Sequence, residues 1–376
     1  MTILDRYVGR QIIAATFFAV AVLSVVLVLG NAFKQLFELL LNRNAPAEII
    51  VSFLRYILPF SMTYTIPWGF LTAVLLVFGR MSAEYELIAL RSSGISFSRI
   101  CRMVAVIGLL CSGVCLWISV DFGPRAQADY KQSLYNLAIN KPLSLFESDR
   151  VIDAFPGHKI YVGQSDGKLL HNLLVFELGA RAEPKNFIFA REGSIRADVP
   201  NRRLLLEISD AHYEERDRLA PDNLSKMRHG ITVQRTTLPI PLTELFDQGK
   251  NKRRLSTLTV AELREAMTVG ASEGDAASRA RETSEVRWEL SRRFAFAFAS
   301  IALGLIAVPL GVTAQRKETS AGFLLSIVVA FVYFFLMLMV GWVKGRPSWH
   351  PEWLVWAPNA VFFLLGAVLF RRLAAR

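Results

Sequence analysis

The chain has 376 residues, of which 53% are hydrophobic, 11% aromatic and 20% charged, and its formal net charge is +11. So apolar a composition excludes an ordinary soluble protein of this length. The basic excess also fails to gather into one aromatic-interleaved patch, which argues against a nucleic-acid binder; the lysines and arginines sit beside apolar runs, where they act as topology signals.

Six intervals lack any Asp, Glu, Lys or Arg: 11–33, 56–79, 103–120, 294–315, 319–343 and 353–370. Each reaches the roughly 18 residues at which a spanning helix is the expected reading. Taken in order, the first is preceded by ILDRYVGRQI, which places Asp5, Arg6 and Arg10 on the opening turns of one long helix. The apolar run from Ile12 to Gly30 is longer than a signal-peptide core and ends without a small-residue cleavage site, so it reads as an uncleaved span. Phe33, Leu36, Phe37 and Leu40 then recur at helical spacing, which predicts that the helix continues past the bilayer core. Lys34 stands at that boundary, either snorkelling to lipid phosphates or reaching a bound anionic ligand.

The second interval contains Pro59 and Pro67 within ILPFSMTYTIPWGFL. Proline removes a backbone donor, so a kinked or locally unwound helix lining a cavity is expected there. The segment that follows, GRMSAEYELIALRSSGISFS over 79–98, is a charged stretch pinned between two spans. Glu84 and Glu86 lead the apolar string Leu87, Ile88, Ala89 and Leu90, Arg91 follows, and Gly94 stands where a short helix would end. Early carboxylates suit the positive helix start, a late arginine suits the negative end, and Gly94 can take a left-handed cap. Such a helix is either an ordinary interfacial loop or a docking element. All three cysteines, Cys101, Cys111 and Cys115, fall in or just before the third interval and read as small packing residues.

Between the third and fourth intervals the patterning changes. HKIYVGQ, NLLVFEL, NFIFAREGSIRADV and RRLLLEISDAHYEE alternate with period two, punctuated by Gly157, Gly167, Gly179, Gly193 and the Pro200-Asn201 turn. This is the signature of an antiparallel β domain. From Lys252 the pattern turns helical, with Thr259 and Glu262 at capping-box spacing, a small-residue linker over 271–280 and a charged helix over 284–293 that ends in Arg292 and Arg293. The last loop holds Pro347, Trp349, Pro351, Trp353 and Trp356, an interfacial aromatic belt. The expected domains are therefore 1–120 with three spans and the loop helix at about 80–98, 121–255 as the β domain, 256–291 as a helical linker, and 292–376 with three further spans.

Orientation follows from the basic residues. With the N-terminus inside, eleven lie on the inner side (Arg6, Arg10, Arg80, Arg91, Arg99, Arg102, Arg316, Lys317, Arg371, Arg372 and Arg376). Five lie in the short outer loops (Lys34, Arg43, Arg55, Lys344 and Arg346). Both termini and the 79–98 loop are thus expected in the cytoplasm, with the β domain exported.

Motifs for chemistry are missing: there is no GxxxxGK[ST] phosphate loop, GxSxG elbow or HExxH, and the five histidines show no metal-ligand spacing. None of the six intervals places a carboxylate deep in the bilayer, where a proton-coupled carrier would need one. The chain reads as a non-enzyme whose energy, if it transports, arrives from a partner at the Glu86 helix. A membrane scaffold or sensor with a partner-binding β domain is the alternative.

ILDRYVGRQI, TIPWGFLTAVLLVFGRMSAEYELIALRSSGIS, RRFAFAFASIALGLIAVPLGVTAQRKETSAGF and WAPNAVFFLLGAVLFRR together resemble the lipopolysaccharide-export permeases LptF and LptG, the YjgP/YjgQ family. The resemblance covers essentially all of the membrane part; the exported domain is similar in placement and strand pattern. It implies a permease half of an ABC transporter in the bacterial inner membrane, with six spans arranged 3+3 and an inserted periplasmic β-jellyroll. Implied partners are a paralogous LptF/LptG-like subunit, an LptB-like ATPase homodimer that would hold the ATP and Mg, an LptC-like single-span protein, an LptA-like periplasmic bridge, and lipopolysaccharide itself. No cofactor is implied in this chain. The resemblance also gives Glu86, with Glu84, Arg91 and Gly94 around it, the role of coupling helix to the ATPase, and makes Lys34, Arg55, Arg292 and Arg293 the nearest equivalents of the basic residues that meet lipid phosphates. LDRY leans toward the G-like subunit and the Glu84/Glu86 pair toward the F-like one, which leaves the subunit type open.

Overall fold

The structure is a computed structural model that describes residues 3–37, 47–140, 149–152, 158–166, 169–178, 184–198, 200–201, 203–215, 229–241, 255, 258–269, 276–314 and 319–374. Gly157, Gly167, Gly179, Arg43, Arg316, Lys317, Arg376 and the 271–275 part of the expected linker lie outside these residues. Two compact units emerge, one of residues 1–33, 55–127 and 255–376, the other of residues 34–54 and 128–254.

The first unit is helical. Its helices are α1 (Ile3–Phe37) and α2 (Ala47–Ala83), apart from their 34–37 and 47–54 ends, with α3 (Glu86–Ser92), α4 (Phe97–Trp117), α6 (Val260–Val269), α7 (Ala276–Ala314), α8 (Thr319–Gly341), α9 (Pro351–Leu354) and α10 (Ala357–Ala374); α5 (Gly123–Asn140) continues α4 through a π-helical turn at Ile118–Phe122 and belongs from residue 128 to the second unit. Among the described residues, six helical stretches are long and apolar enough to cross a membrane: Ile3–Gly30, Ile50–Ala83, Phe97–Ser133, Ala280–Thr313, Gly322–Gly341 and Pro351–Leu373. Each contains most of one charge-free interval, but several run further than those intervals. The third continues to Ser133 and the fourth begins at Ala280, because helix propagation does not stop where charges resume.

The second and fourth stretches are the most buried, and they form the centre of the unit. Phe70, Leu71, Val74, Leu75 and Phe78 of α2 meet Ala299, Ala302, Leu303, Ile306 and Ala307 of α7 in one core. Glycine permits close backbone approach, as membrane helix contacts require. A Cβ on Gly311 would fall 3.0 Å from the Leu75 carbonyl oxygen, and one on Gly366 would fall 3.0 Å from the Ile306 nitrogen. A buried polar chain ties three spans together: Tyr333 Oη donates to Asn359 Oδ1 at 3.0 Å, and Asn359 Nδ2 donates to the Ala295 carbonyl at 2.7 Å. The capping box is present, with Thr259 N donating to Glu262 Oε2 at 2.8 Å and Glu262 N to Thr259 Oγ1 at 3.3 Å.

α2 stays α-helical through Pro59 and Pro67 and is not unwound there. Hydroxyls near the first proline bond the backbone, Ser61 Oγ to the Leu58 carbonyl at 2.8 Å and Thr63 Oγ1 to the Pro59 carbonyl at 3.3 Å.

In the second unit, six strands form one antiparallel sheet in chain order: β1 (Arg150–Ile152), β2 (His158–Ser165), β3 (Leu170–Leu178), β4 (Pro184–Asp198), β5 (Arg203–Glu215) and β6 (His229–Pro241). An inserted antiparallel β domain is therefore present. Within it the described strands follow one another as a meander, and no crossover joins described strands in the manner a jellyroll name suggests. The first described strand begins at Arg150, and residues 123–140, placed in the β domain by sequence, are helical.

One face of the sheet buries Ile160, Val162, Leu173, Val175, Ile188, Ala190, Leu204, Leu206 and Ile208, with Tyr135 and Ile139 of α5 packed against it. The alternation slips at one level. Inward positions are spaced by three at Leu170/Leu173, Ala190/Gly193 and Ile208/Ala211, and the cross-strand pairs Leu173–Ala190–Ala211 and Leu170–Gly193–Ile208 keep these slips aligned. The same spacing of three continues into β2 (Val162, Ser165) and β6 (Val233, Thr236). Asn172 and Asp210 sit within the slip at φ 54° and 52°. β2 to β6 thus each carry an extra residue at this level and still present one apolar face.

Candidate functional site

Two polar assemblies stand out in the helical unit. The first surrounds the turn between α2 and α3. α2 ends with Glu84 N bonded to the Arg80 carbonyl at 2.9 Å, so Glu84 closes the preceding helix instead of opening the next, and its carboxylate lies 4.0 Å from Arg80 Nε. Tyr85 then takes a left-handed conformation (φ 59°), which redirects the chain into α3. Glu86 is the first residue of α3, where a carboxylate faces the positive helix end. Gly94 (φ +81°) ends the segment: its N–H donates to the Arg91 carbonyl at 2.9 Å, while Ile95 N–H reaches the Leu90 carbonyl at 3.2 Å. These two bonds make a Schellman motif, the cap expected for glycine in this position.

Burial separates two sides of α3. Leu87 joins the helical core and Leu90 and Ile95 pack against it, whereas Tyr85, Ile88 and Arg91 are exposed. α3 is thus rooted by Leu87 and leaves Ile88 exposed, with Glu86 half-buried at its start. α1 is bound to this turn. Tyr7 Oη donates to the Glu86 carboxylate, 3.1 Å from Oε1 and 3.2 Å from Oε2, and Arg80 Nη2 donates to Gln11 Oε1 at 2.7 Å. Ser82 Oγ bonds the Val312 carbonyl at 3.0 Å, tying the same turn to the end of α7. Sequence spacing marks Glu84, Glu86, Arg91 and Gly94, and the structure brings them into one turn-helix-turn. It adds Tyr7 and Gln11, which lie far away in sequence.

The second assembly is a pocket of about 90 Å³ between α2, the π-helical turn with the start of α5, and α7. Tyr56, Pro59, Phe60 and Tyr64 line one side, Glu289, Arg292 and Arg293 another. Pro67 is buried and does not line it. The π-helical turn needs its glycine, since a Cβ on Gly123 would fall 2.9 Å from the Ile118 carbonyl oxygen. Arg292 grips Glu289 with both Nε (3.0 Å) and Nη2 (2.8 Å), and Arg293 Nε reaches Glu289 Oε1 at 3.2 Å. Arg293 Nη2 also donates to the Leu255 carbonyl at 3.1 Å. Glu289 and Arg293 are almost fully enclosed, at 5% and 4% side-chain exposure, while Arg292 keeps 23% and lies 5.3 Å from the centre of the Trp288 ring and 5.8 Å from that of Phe296. One carboxylate thus serves two guanidiniums, and the cluster carries a net positive charge.

Glu289 lies in the charged N-terminal part of the fourth helical stretch, Ala280–Thr313, ahead of the charge-free interval 294–315. Its i, i+3 and i+4 spacing to Arg292 and Arg293 was the available signal. Arg55 is exposed on α2 and does not line the pocket. Lys34 belongs to α1, with its side chain outside the described residues. Beyond the pocket, Trp342, Trp349 and Trp353 are exposed and Lys344 Nζ lies 6.0 Å from the centre of the Trp288 ring.

The sequence model of the family described as lipopolysaccharide export system permease LptF/LptG matches residues 6–372. No curated protein matches the chain.

Proposed function

This chain belongs to the LptF/LptG family of lipopolysaccharide export permeases, and from that premise we propose that it is the half-transporter of an ATP-driven extractor, moved by a separate ATPase through the Glu86 helix. A multi-pass inner-membrane permease with an inserted β domain is the frame for this reading. The observation that carries it is α3: a seven-residue helix, entered through left-handed Tyr85, closed by left-handed Gly94 and rooted by Leu87, that begins with a half-exposed Glu86. A knob so tightly framed is suited to receive a push without deforming.

Extraction needs an external engine because drawing acyl chains from the bilayer costs about 0.8 kcal/mol for each methylene exposed. ATP and Mg are assigned to the ATPase homodimer. A paralogous permease subunit would complete the lipid cavity, since a pocket of about 90 Å³ holds no multi-chain lipid. An LptC-like span and an LptA-like bridge would take part in delivery. The cytoplasmic placement of α3 and both termini, and the periplasmic placement of the sheet, follow the distribution of basic residues. Of the four basic residues considered for the glycolipid's phosphates, geometry favours Arg292, which is accessible and faces a pocket; Arg293 is engaged with Glu289 and the Leu255 carbonyl.

The test is Glu86→Lys in the assembled transporter. Charge reversal on an exposed turn leaves the spans folded, so co-purification of the ATPase and glycolipid release should fall together while the thermal midpoint holds. Full co-purification and normal release in that variant would overturn the coupling role.

A further inference from the structure

The Glu86 carboxylate has an unusual companion. Among the described residues no Lys or Arg side chain forms an ion pair with it; its partner is the phenol of Tyr7, 79 residues away. A phenol carries one proton and no charge at neutral pH. Tyr7 Oη lies nearly equidistant from both carboxylate oxygens, so it fixes the plane of the group while leaving its negative charge intact. A lysine or arginine there would fix it equally well and would cancel the charge that a basic partner surface needs. Tyr7 and Gln11 are four residues apart on α1 and form a polar seam against Glu86 and Arg80. Val8 and Ile12, next to them, form a fully buried apolar seam. A Cβ on Gly9 would meet Met103 Cε at 3.0 Å, so this end of α1 is also close against α4. Further along, Phe17, Phe18, Val22, Val25, Val26 and Leu29 of α1 are exposed.

We propose that Tyr7 is a positioning residue for the coupling carboxylate, and that the Tyr7–Glu86 and Arg80–Gln11 contacts deliver displacement of the α2–α3 turn directly to the first span. This inference rests on the coupling role of Glu86 argued above. The remaining attachments of this end of α1 do not need the phenol proton, so its loss should uncouple without unfolding.

The experiment uses the complete transporter, this chain with its paralogous subunit and ATPase, reconstituted in proteoliposomes containing lipopolysaccharide. Tyr7→Phe removes only the hydroxyl. The expected result is a fall of about three- to tenfold in glycolipid extracted per ATP hydrolysed, with an unchanged thermal midpoint. The double variant Tyr7→Phe/Glu86→Gln should be no worse than Glu86→Gln alone, because both act through one contact. A parent-like ratio for Tyr7→Phe alongside an impaired Glu86→Gln, or multiplying effects in the double variant, overturns the positioning role alone. A parent-like Glu86→Gln overturns the coupling reading itself and this inference with it.

Discussion

Arg292 holds both carboxylate oxygens of Glu289, at 2.8 and 3.0 Å, from one turn further along the same helix. Glu289 is also shared with Arg293. Glu289→Ala should therefore do more than delete one side chain: it takes from two guanidiniums the carboxylate they share. Breaking a buried pair from one side costs about 3–5 kcal/mol. A large drop in thermal midpoint in detergent is expected, and Glu289→Gln, which keeps the volume and one acceptor, should lie between. A midpoint equal to the parent's would mean the cluster is not held as described.

The contact between α1 and α2 is built on a missing side chain. A Cβ on Gly69 would fall 2.6 Å from Val20 Cγ2 and 2.9 Å from the Val20 nitrogen, and backbone cannot give way as a rotamer can. Nearby, Ser24 Oγ and Thr65 Oγ1 are 2.8 Å apart. Overpacking a fitted contact costs about 1–3 kcal/mol. Gly69→Val should therefore push α1 away, and a Ser24→Cys/Thr65→Cys cross-link, made with the native cysteines replaced by alanine, should form with Gly69 and fail with valine.

Gly94 isolates a purely conformational cost. No atom lies within 4 Å of where its Cβ would be, yet its φ is +81°. Gly94→Ala should cost about 1–2 kcal/mol through the backbone alone and Gly94→Asn less, since asparagine tolerates the left-handed region. Amide exchange at Ile95, whose N–H closes the cap, would read it: faster for alanine, nearly unchanged for asparagine.

Acid should loosen the β4–β5 turn. The Asp198 carboxyl is held below its ordinary range by the Asn201 amide at 2.9 Å and the Arg203 guanidinium at 2.7 Å. A depressed folded-state value means the contribution is complete above the unfolded value of about 3.9 and is lost as pH falls through the folded one. Carbon-13 titration of the labelled carboxylate should give a lower midpoint in the parent than in Arg203→Ala, and equal midpoints would show that the contact is not populated.

What could be read from the chain alone divides by distance along it. The spans, the Thr259–Glu262 box and the Gly94 cap are legible because each depends on residues within a turn or two. Glu84 was grouped with Glu86 because both precede the same apolar string; left-handed Tyr85 separates them, and tyrosine gives no sign that it will take that conformation. Arg292 and Arg293 read as candidate lipid-phosphate contacts, with no sign of their shared acid, when charge is counted without asking which acid lies one turn back. Tyr7 was invisible as a partner for Glu86 because no periodicity connects two helices. The slip in the sheet was hidden for a related reason: in each strand taken singly an interval of three looks like broken alternation, and only cross-strand pairing shows it to be shared.

That shared slip makes the β domain behave like a vernier. Removing the extra residue from β4 alone would turn half of that strand inside out against neighbours that keep theirs, burying Arg196 and expelling Ile195, whereas trimming every strand at the same rung would preserve the lining. Strand lengths in this domain are consequently interdependent, and a one-residue deletion in a single strand should be far more damaging than its size suggests.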